Sequence, residues 1–398
     1  MNTVNRLFDI PYYQQSKPPL EVAFATKYNG EWAKTSTAEY IKKANTVSRG
    51  LLRLGIQKND KIAVISSTNR TEWHIMDIGI LQVGAQNVPI YPTINLEDFE
   101  YILNHSECKY CVVSDKELWE KISSIQDKLP HLKTIFTFND VPYAHHWQEI
   151  LDLGADESNQ AEVEARKDSI QKDDLATIIY TSGTTSRPKG VMLSHWNIIS
   201  NILNCQDRLP IAEGSTALSF LPVCHVFERM LTYLYQYDCL SIYFAESLDK
   251  ISDNLREVKP HIITVVPRLI EKIYDKIFAK GAELKGIKRK LFFWALELGF
   301  KYEPYGANGF WYEIQLKIAR KLIFSKWREA LGGRIQMIVC GSAALFPRLA
   351  KVFSAAGLTI MEGYGLTETS PVISVNRESG RYWKIGTVGK PVNNVEVK

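Results

Sequence analysis

Residues Tyr180 to Gly190 read Y-T-S-G-T-T-S-R-P-K-G. Six hydroxyl side chains (Tyr180, Thr181, Ser182, Thr184, Thr185 and Ser186) surround Gly183, and the cations Arg187 and Lys189 follow closely. Such a loop offers hydroxyl donors, backbone N–H groups and positive charge in a small space, which is what phosphate oxygens require. An ordinary Ser/Thr-rich surface turn would share this composition, so the order of residues has to decide. It is not the G-x-x-x-x-G-K-[ST] loop. Counted from Gly183, the second glycine falls on Pro188, and Gly190 stands after Lys189 where a magnesium-binding hydroxyl belongs.

The apolar run Leu175 to Tyr180 predicts a buried strand that delivers the loop. Val191-Met192-Leu193 then leads to a helix start capped by Ser194. Elsewhere short apolar runs alternate with helical patterns: Ile62–Ser66, Asn87–Tyr91, Tyr110–Val113, Thr134–Phe138, Ala217–Leu221, Ser241–Phe244, Ile262–Val266 and Gln336–Val339. Tyr40, Ala44, Val47 and Leu51 recur at helical spacing before a stop at Gly55, and Pro267 suits the first turn of a helix. Strands alternating with helices predict an α/β fold with mostly parallel sheets covered on both faces. A polar, charge-dense stretch from Asp152 to Asp174 suggests two packed α/β lobes, approximately 1–160 and 170–380.

The chain has 398 residues, 45% hydrophobic and 23% charged, which describes a folded globular protein. A net charge of +4 argues against nucleic acid as a partner. The start of the sequence lacks the apolar core of a signal peptide, and no apolar run reaches the roughly 20 residues that span a bilayer. Six scattered cysteines suggest a reducing, cytoplasmic setting. Cys108 and Cys111 form a C-x-x-C on a strand-like run, where side chains three apart point to opposite faces, so a redox or zinc role is weakly supported. The His145-His146 pair lacks partners at ligand spacing.

Three further stretches follow the loop. Leu221 to Arg229 reads L-P-V-C-H-V-F-E-R; Cys340 to Leu345 reads C-G-S-A-A-L; Met361 to Thr369 reads M-E-G-Y-G-L-T-E-T. Together with the loop, they resemble the acyl-adenylate-forming enzymes: acyl-CoA synthetases, luciferases and the adenylation domains of peptide synthetases. The family's loop is Y-T-S-G-T-T-G-x-P-K-G, from which this chain departs at Ser186. The His225 stretch resembles the L-P-x-x-H-x-F-E-R form of long-chain fatty acyl-CoA synthetases. Ser342 stands for the second glycine of a G-G-A-type turn, and Ala344 for a frequent proline.

The resemblance covers essentially the whole chain and implies the large N-terminal AMP-binding domain of such an enzyme, with strands exchanged between its lobes. The implied reaction joins a long-chain fatty acid to ATP with Mg²⁺, then to CoA. His225 would meet the acyl carboxylate, with Glu228 and Arg229 as a supporting ion pair. Thr181, Ser182, Gly183, Thr184, Thr185 and Lys189 would hold the phosphates. Gly341, Ser342 and Ala343, with Gly363, Tyr364 and Gly365, would line the nucleotide and acyl pockets, although tight strand-on-helix packing would also explain the first of these turns. Thr367 would contact the α-phosphate, and Glu368, with Thr184, the metal. The segment 385–398 is expected to begin a truncated β region, with the family's C-terminal domain and its lysine beyond Lys398, so the chain alone is expected to make little acyl-CoA. An aryl, medium-chain or amino-acid substrate, or a catalytically silent homologue, remains the alternative.

Residues 271–330 carry thirteen Lys/Arg against seven Asp/Glu, and thirteen aromatics. Peripheral contact with the inner face of a membrane is one reading of that mixture. Core aromatics beneath a solvated basic face is the other.

Overall fold

The computed structural model describes residues 4–181, 187–377 and 381–398. The chain forms two compact units, Met1–Leu203 with Leu221–Phe244, and Asn204–Phe220 with Ala245–Lys398. The chain therefore crosses between units three times, as the resemblance implied. The polar stretch from Asp152 to Asp174, where the sequence suggested a division into approximate lobes 1–160 and 170–380, lies inside the first unit. It carries the helix Gln160–Ser169, which buries Val163.

In the first unit, β1 (Phe24–Tyr28) pairs antiparallel with β2 (Glu31–Thr35) and parallel with β11 (Ser241–Phe244). A separate sheet contains β3 (Lys61–Ile65), β4 (Gln86–Pro89), β5 (Cys108–Val113), β6 (Thr134–Thr137), β7 (His145–His146), β8 (Leu175–Thr181) and β9 (Lys189–Ser194). Its order is β7-β6-β5-β3-β4-β8-β9, parallel throughout except for the β8–β9 hairpin at one edge. Both faces of the central strands are covered, which is why they read as continuous apolar runs rather than alternating ones.

The helix Thr71–Gln82 lies inside this unit, with every residue buried except Glu72. A helix buried all round carries apolar side chains on every side, here Trp73, Ile75, Met76, Ile78, Ile80 and Leu81, and its buried polar members Thr71, His74, Asp77 and Gln82 need partners inside the fold. His74 stacks between Phe24 of β1 and Phe244 of β11, both at 5.0 Å. Burial, with Arg229 nearby, pushes its pKa down to about 3, so the ring is neutral.

The second unit holds β10 (Thr216–Ser219), β12 (Ile262–Val265), β13 (Met337–Cys340) and β14 (Thr359–Gly365), all parallel. Antiparallel β15 (Val372–Val375) and β16 (Lys390–Pro391) extend it. Ile263, Ile338 and Ile360 stand side by side on β12, β13 and β14. Pro267 opens the helix Pro267–Ala282, where its missing N–H is lost at no cost to the helix. Within the segment 385–398, expected to begin a β region, Lys390–Pro391 forms a strand.

Candidate functional site

The loop and the histidine both belong to the first unit. β8 ends at Thr181 and β9 begins at Lys189, in register Tyr180↔Gly190 and Thr181↔Lys189. The loop thus closes a strand–strand hairpin, whereas the Walker-type phosphate loop runs from a strand into a helix. Ser182, Gly183, Thr184, Thr185 and Ser186 lie outside the described residues. At the hairpin's base the Tyr180 hydroxyl meets His105 Nδ1 at 2.7 Å. Arg187 stacks its guanidinium over Tyr101 at 5.4 Å. Gly190 is required here: a Cβ would lie 2.8 Å from Ile178 and 3.3 Å from the Tyr180 ring. Ser194 caps the following helix His195–Cys205, its Oγ accepting from the Asn197 N–H at 3.1 Å.

His225 occupies the N-cap of the helix Val226–Tyr237, with extended backbone and no side-chain capping bond. Asn69 clamps the turn before it, donating to the Leu221 carbonyl at 2.7 Å and accepting from the Val223 N–H at 3.1 Å. The imidazole is exposed and tilts against Tyr91, ring centroids 5.3 Å apart. Desolvation by the surrounding protein lowers its pKa from 6.5, so it is neutral at physiological pH. A neutral imidazole at a helix start, beside N–H groups without intrahelical partners, is suited to donating to an anion.

Four residues on, Arg229 has 1% exposure. Its guanidinium pairs with Asp77 at 2.6 Å and donates to Thr177 Oγ1 of β8 at 2.7 Å. Thr177 donates to the Asn87 carbonyl of β4, Asn87 Nδ2 donates to Asp77 at 2.7 Å, and the Tyr233 hydroxyl donates to the other Asp77 oxygen. The partner of Arg229 thus comes from outside the motif. A signal existed: Asp77 is the one acid in the apolar run Ile75–Leu81, and a buried charge requires a partner. This network joins the helix that presents His225 to the strand that delivers the loop.

The other two motifs are turns within the second unit. Gly341-Ser342-Ala343 leaves β13 ahead of the helix Pro347–Ala355. Ser342 has φ +69°, the left-handed region that favours glycine, and it stands where the resemblance puts one. β14 ends in Gly363-Tyr364-Gly365, with Tyr364 50% exposed. A Cβ on Gly365 would overlap the Pro371 carbonyl oxygen at 1.8 Å. Thr367–Thr369 forms a single 3-10 turn in which the Thr369 hydroxyl accepts from the Leu366 N–H at 2.9 Å. The turn leaves Thr367 half-buried and Glu368 exposed.

No group of three or more His, Cys, Asp or Glu side chains able to hold a metal occurs among the described residues. Magnesium needs no such cage, since it takes one or two carboxylates and completes its shell with water and phosphate oxygens. A lone exposed Glu368 fits that demand. The C-x-x-C pair consists of buried free thiols on β5, and burial pushes Cys108 up to about 12, away from nucleophilic or ligand chemistry.

The family model for AMP-binding enzymes matches residues 13–398, and the chain belongs to that family. The long-chain-fatty-acid–CoA ligase FadD15 of Mycobacterium bovis is 32% identical over 380 residues, covering 94% of this chain and 62% of the relative. The long-chain-fatty-acid–CoA ligase ACSBG2 of Xenopus laevis is 30% identical over 399 residues, covering 95% and 52%. The chain thus spans between half and two thirds of the length of these relatives. Among solved structures, a long-chain-fatty-acid-CoA ligase (FadD1) from Archaeoglobus fulgidus superposes with a TM-score of 0.73 at 19% identity, covering 98% of this chain and 69% of that one. The anthranilate CoA ligase AuaEII, in complex with anthranoyl-AMP, superposes at 0.70 with 19% identity, covering 98% and 64%. At that identity the likeness concerns the fold.

Proposed function

We propose that the chain activates a long-chain fatty acid with ATP, releasing pyrophosphate, and transfers the acyl group to CoA, releasing AMP. The observation that carries this reading is the neutral, exposed His225 at the start of its helix. It sits within a sequence form matching long-chain ligases, in a chain about 30% identical to proteins of that name.

In the first step a carboxylate oxygen attacks the α-phosphorus of ATP and the bond to pyrophosphate breaks. A carboxylate is already nucleophilic, so no general base is needed, and the demand is to hold two anions together. His225 donates to the carboxylate. The Thr367 hydroxyl donates to the α-phosphate, and Tyr364 lies against adenine. The loop from Thr181 to Thr185 cradles the phosphates, and Lys189 orders it or touches the outer phosphates. Mg²⁺, held by Glu368 and Thr184, would supply positive charge to the phosphate oxygens. In the second step the CoA sulfur attacks the acyl carbon and the bond to AMP breaks.

The H-x-F-E-R form favours a long-chain fatty acid over an aryl, medium-chain or amino acid. A reducing, cytoplasmic compartment fits the six free buried cysteines. Peripheral membrane contact through residues 271–330 suits a substrate that partitions into bilayers; no helix among the described residues is long and apolar enough to cross one. Pyrophosphate release by a chain of its relatives' full length should be tested with octanoate, palmitate, benzoate, anthranilate and phenylalanine. Palmitate should give the highest rate. Release independent of every carboxylic acid would sink the reading, and preference for anthranilate would move it to an aryl substrate.

A further inference from the structure

In the second unit the helix Gly286–Phe300 turns through residues 301–309 into the helix Phe310–Ala319, which continues as a wider turn over Arg320–Phe324. The Tyr312 hydroxyl donates to the Leu298 carbonyl at 2.7 Å, fastening the start of the second helix to the end of the first. The inner sides bury Phe292, Ala295, Leu296, Tyr312, Leu316 and Ala319. Part of the aromatic content of 271–330 is therefore core, as the plainer reading of the sequence held.

The outer sides differ. Ile287, Phe310 and Trp311 are 76%, 74% and 75% exposed, and Ile318 and Leu322 are also exposed. Phe310, Ile318 and Leu322 lie at multiples of four along the second helix and share its outer stripe. On the first helix Gly286, Arg289, Lys290, Phe293, Trp294 and Glu297 line a groove of about 570 Å³. Lys288, Arg289, Lys290, Lys317 and Lys321 enter no ion pair among the described residues. Exposed aromatic and aliphatic side chains interleaved with unpaired cations match an interfacial helix: the apolar groups enter the acyl boundary and the cations remain at the phosphates. A second copy of the chain is disfavoured, because a two-fold interface would oppose like charges. The exposed aliphatic side chains also favour a bilayer over a nucleic-acid backbone.

We propose that the outer side of the 286–322 helical pair is a docking surface for an anionic lipid bilayer. The lipid phosphates take Lys288, Arg289 and Lys290, and Phe310 and Trp311 enter the interface. This rests on the membrane contact proposed above and narrows it to one face and one lipid class.

The test is sedimentation of the purified chain with phosphatidylcholine vesicles, with and without phosphatidylglycerol, at low and high salt. The wild type should bind the anionic vesicles, and salt should weaken binding. The triple variant Lys288→Ala, Arg289→Ala, Lys290→Ala should lose on the order of 100-fold in partitioning, given the strength of cation attraction at an anionic surface. Phe310→Ser with Trp311→Ser should lose roughly 10-fold or more, from removal of its inserted side chains. All five positions are exposed, so unchanged thermal midpoints would exclude misfolding. The variant Lys34→Ala, Lys42→Ala, Lys116→Ala removes the same charge from the first unit and should bind as the wild type does. Equal loss in that control, or undiminished binding by both surface variants, would overturn the assigned face while leaving membrane contact standing. No vesicle binding by the wild type would remove both. Binding to a homopolymeric RNA in place of vesicles, or a dimer abolished by the surface variants, would replace the bilayer as occupant. None of these outcomes bears on adenylation.

Discussion

His225 and Arg229 stand one helical turn apart in the same short motif, yet their surroundings are opposite. His225 is exposed at the helix start, neutral, and has no capping bond to its own helix. Arg229 is sealed in the interior, with Asp77, Thr177 and Trp73 around its guanidinium. A motif that reads as one unit in sequence therefore combines an exposed side chain open to a ligand with a buried one that anchors their shared helix. Substitution should separate the two, one losing stability and the other losing function.

The largest effect should come from the buried pair. Arg229→Ala leaves Asp77 charged and unpaired, and should destabilise the fold by about 3–5 kcal/mol in denaturant titration. A cost below 1 kcal/mol would mean that water or rearrangement replaces the pair, and the comparison would fail.

Next is pH. His74 and His195 are both buried neutral, with pKa values pushed down to about 3 from 6.5 by burial. A base depressed in the folded state stabilises it fully above the unfolded pKa, and that contribution is lost as pH falls below it. From pH 6.5 toward pH 3 each should therefore cost about 1.4 kcal/mol per unit, together roughly 3 kcal/mol at pH 5.5. The double variant His74→Phe, His195→Phe should flatten that slope if packing tolerates the rings; a slope as steep as the wild type's would assign it to other groups.

His225→Ala should leave the unfolding midpoint within about 0.5 kcal/mol of the wild type, as expected for a surface change. It should slow fatty-acid-dependent pyrophosphate release by roughly 10- to 100-fold, the loss of one hydrogen bond to a charged group. The smallest effect concerns Ser342. Its left-handed backbone costs about 1 kcal/mol, part of which glycine returns as unfolded-state entropy, so Ser342→Gly should stabilise by roughly 0.5 kcal/mol.

The elements that position the site were legible where periodicity or capping chemistry dominates. The strand into the loop, the Ser194 cap, the helix beginning at Pro267 and the mostly parallel sheets all follow from local pattern. The Asp77–Arg229–Thr177 network is not legible in the sequence, because Arg229 lies 52 and 152 residues from its partners and meets them only when the sheet forms. The left-handed angle at Ser342 was also hidden, since serine does not announce such a backbone as glycine would. The basic aromatic segment is legible only as a mixture, because composition does not separate the side chains packed inward, such as Phe292 and Tyr312, from those left outside, such as Phe310 and Trp311.

The central claim is that His225 meets an acyl carboxylate next to a nucleotide. Binding of a non-hydrolysable palmitoyl-adenylate analogue, measured by calorimetry on the wild type and on His225→Ala, tests it without requiring turnover. The wild type should bind the analogue more tightly than a benzoyl counterpart, and His225→Ala should weaken palmitoyl-analogue binding roughly 10- to 100-fold with the fold intact. Equal binding by the wild type and His225→Ala would contradict it.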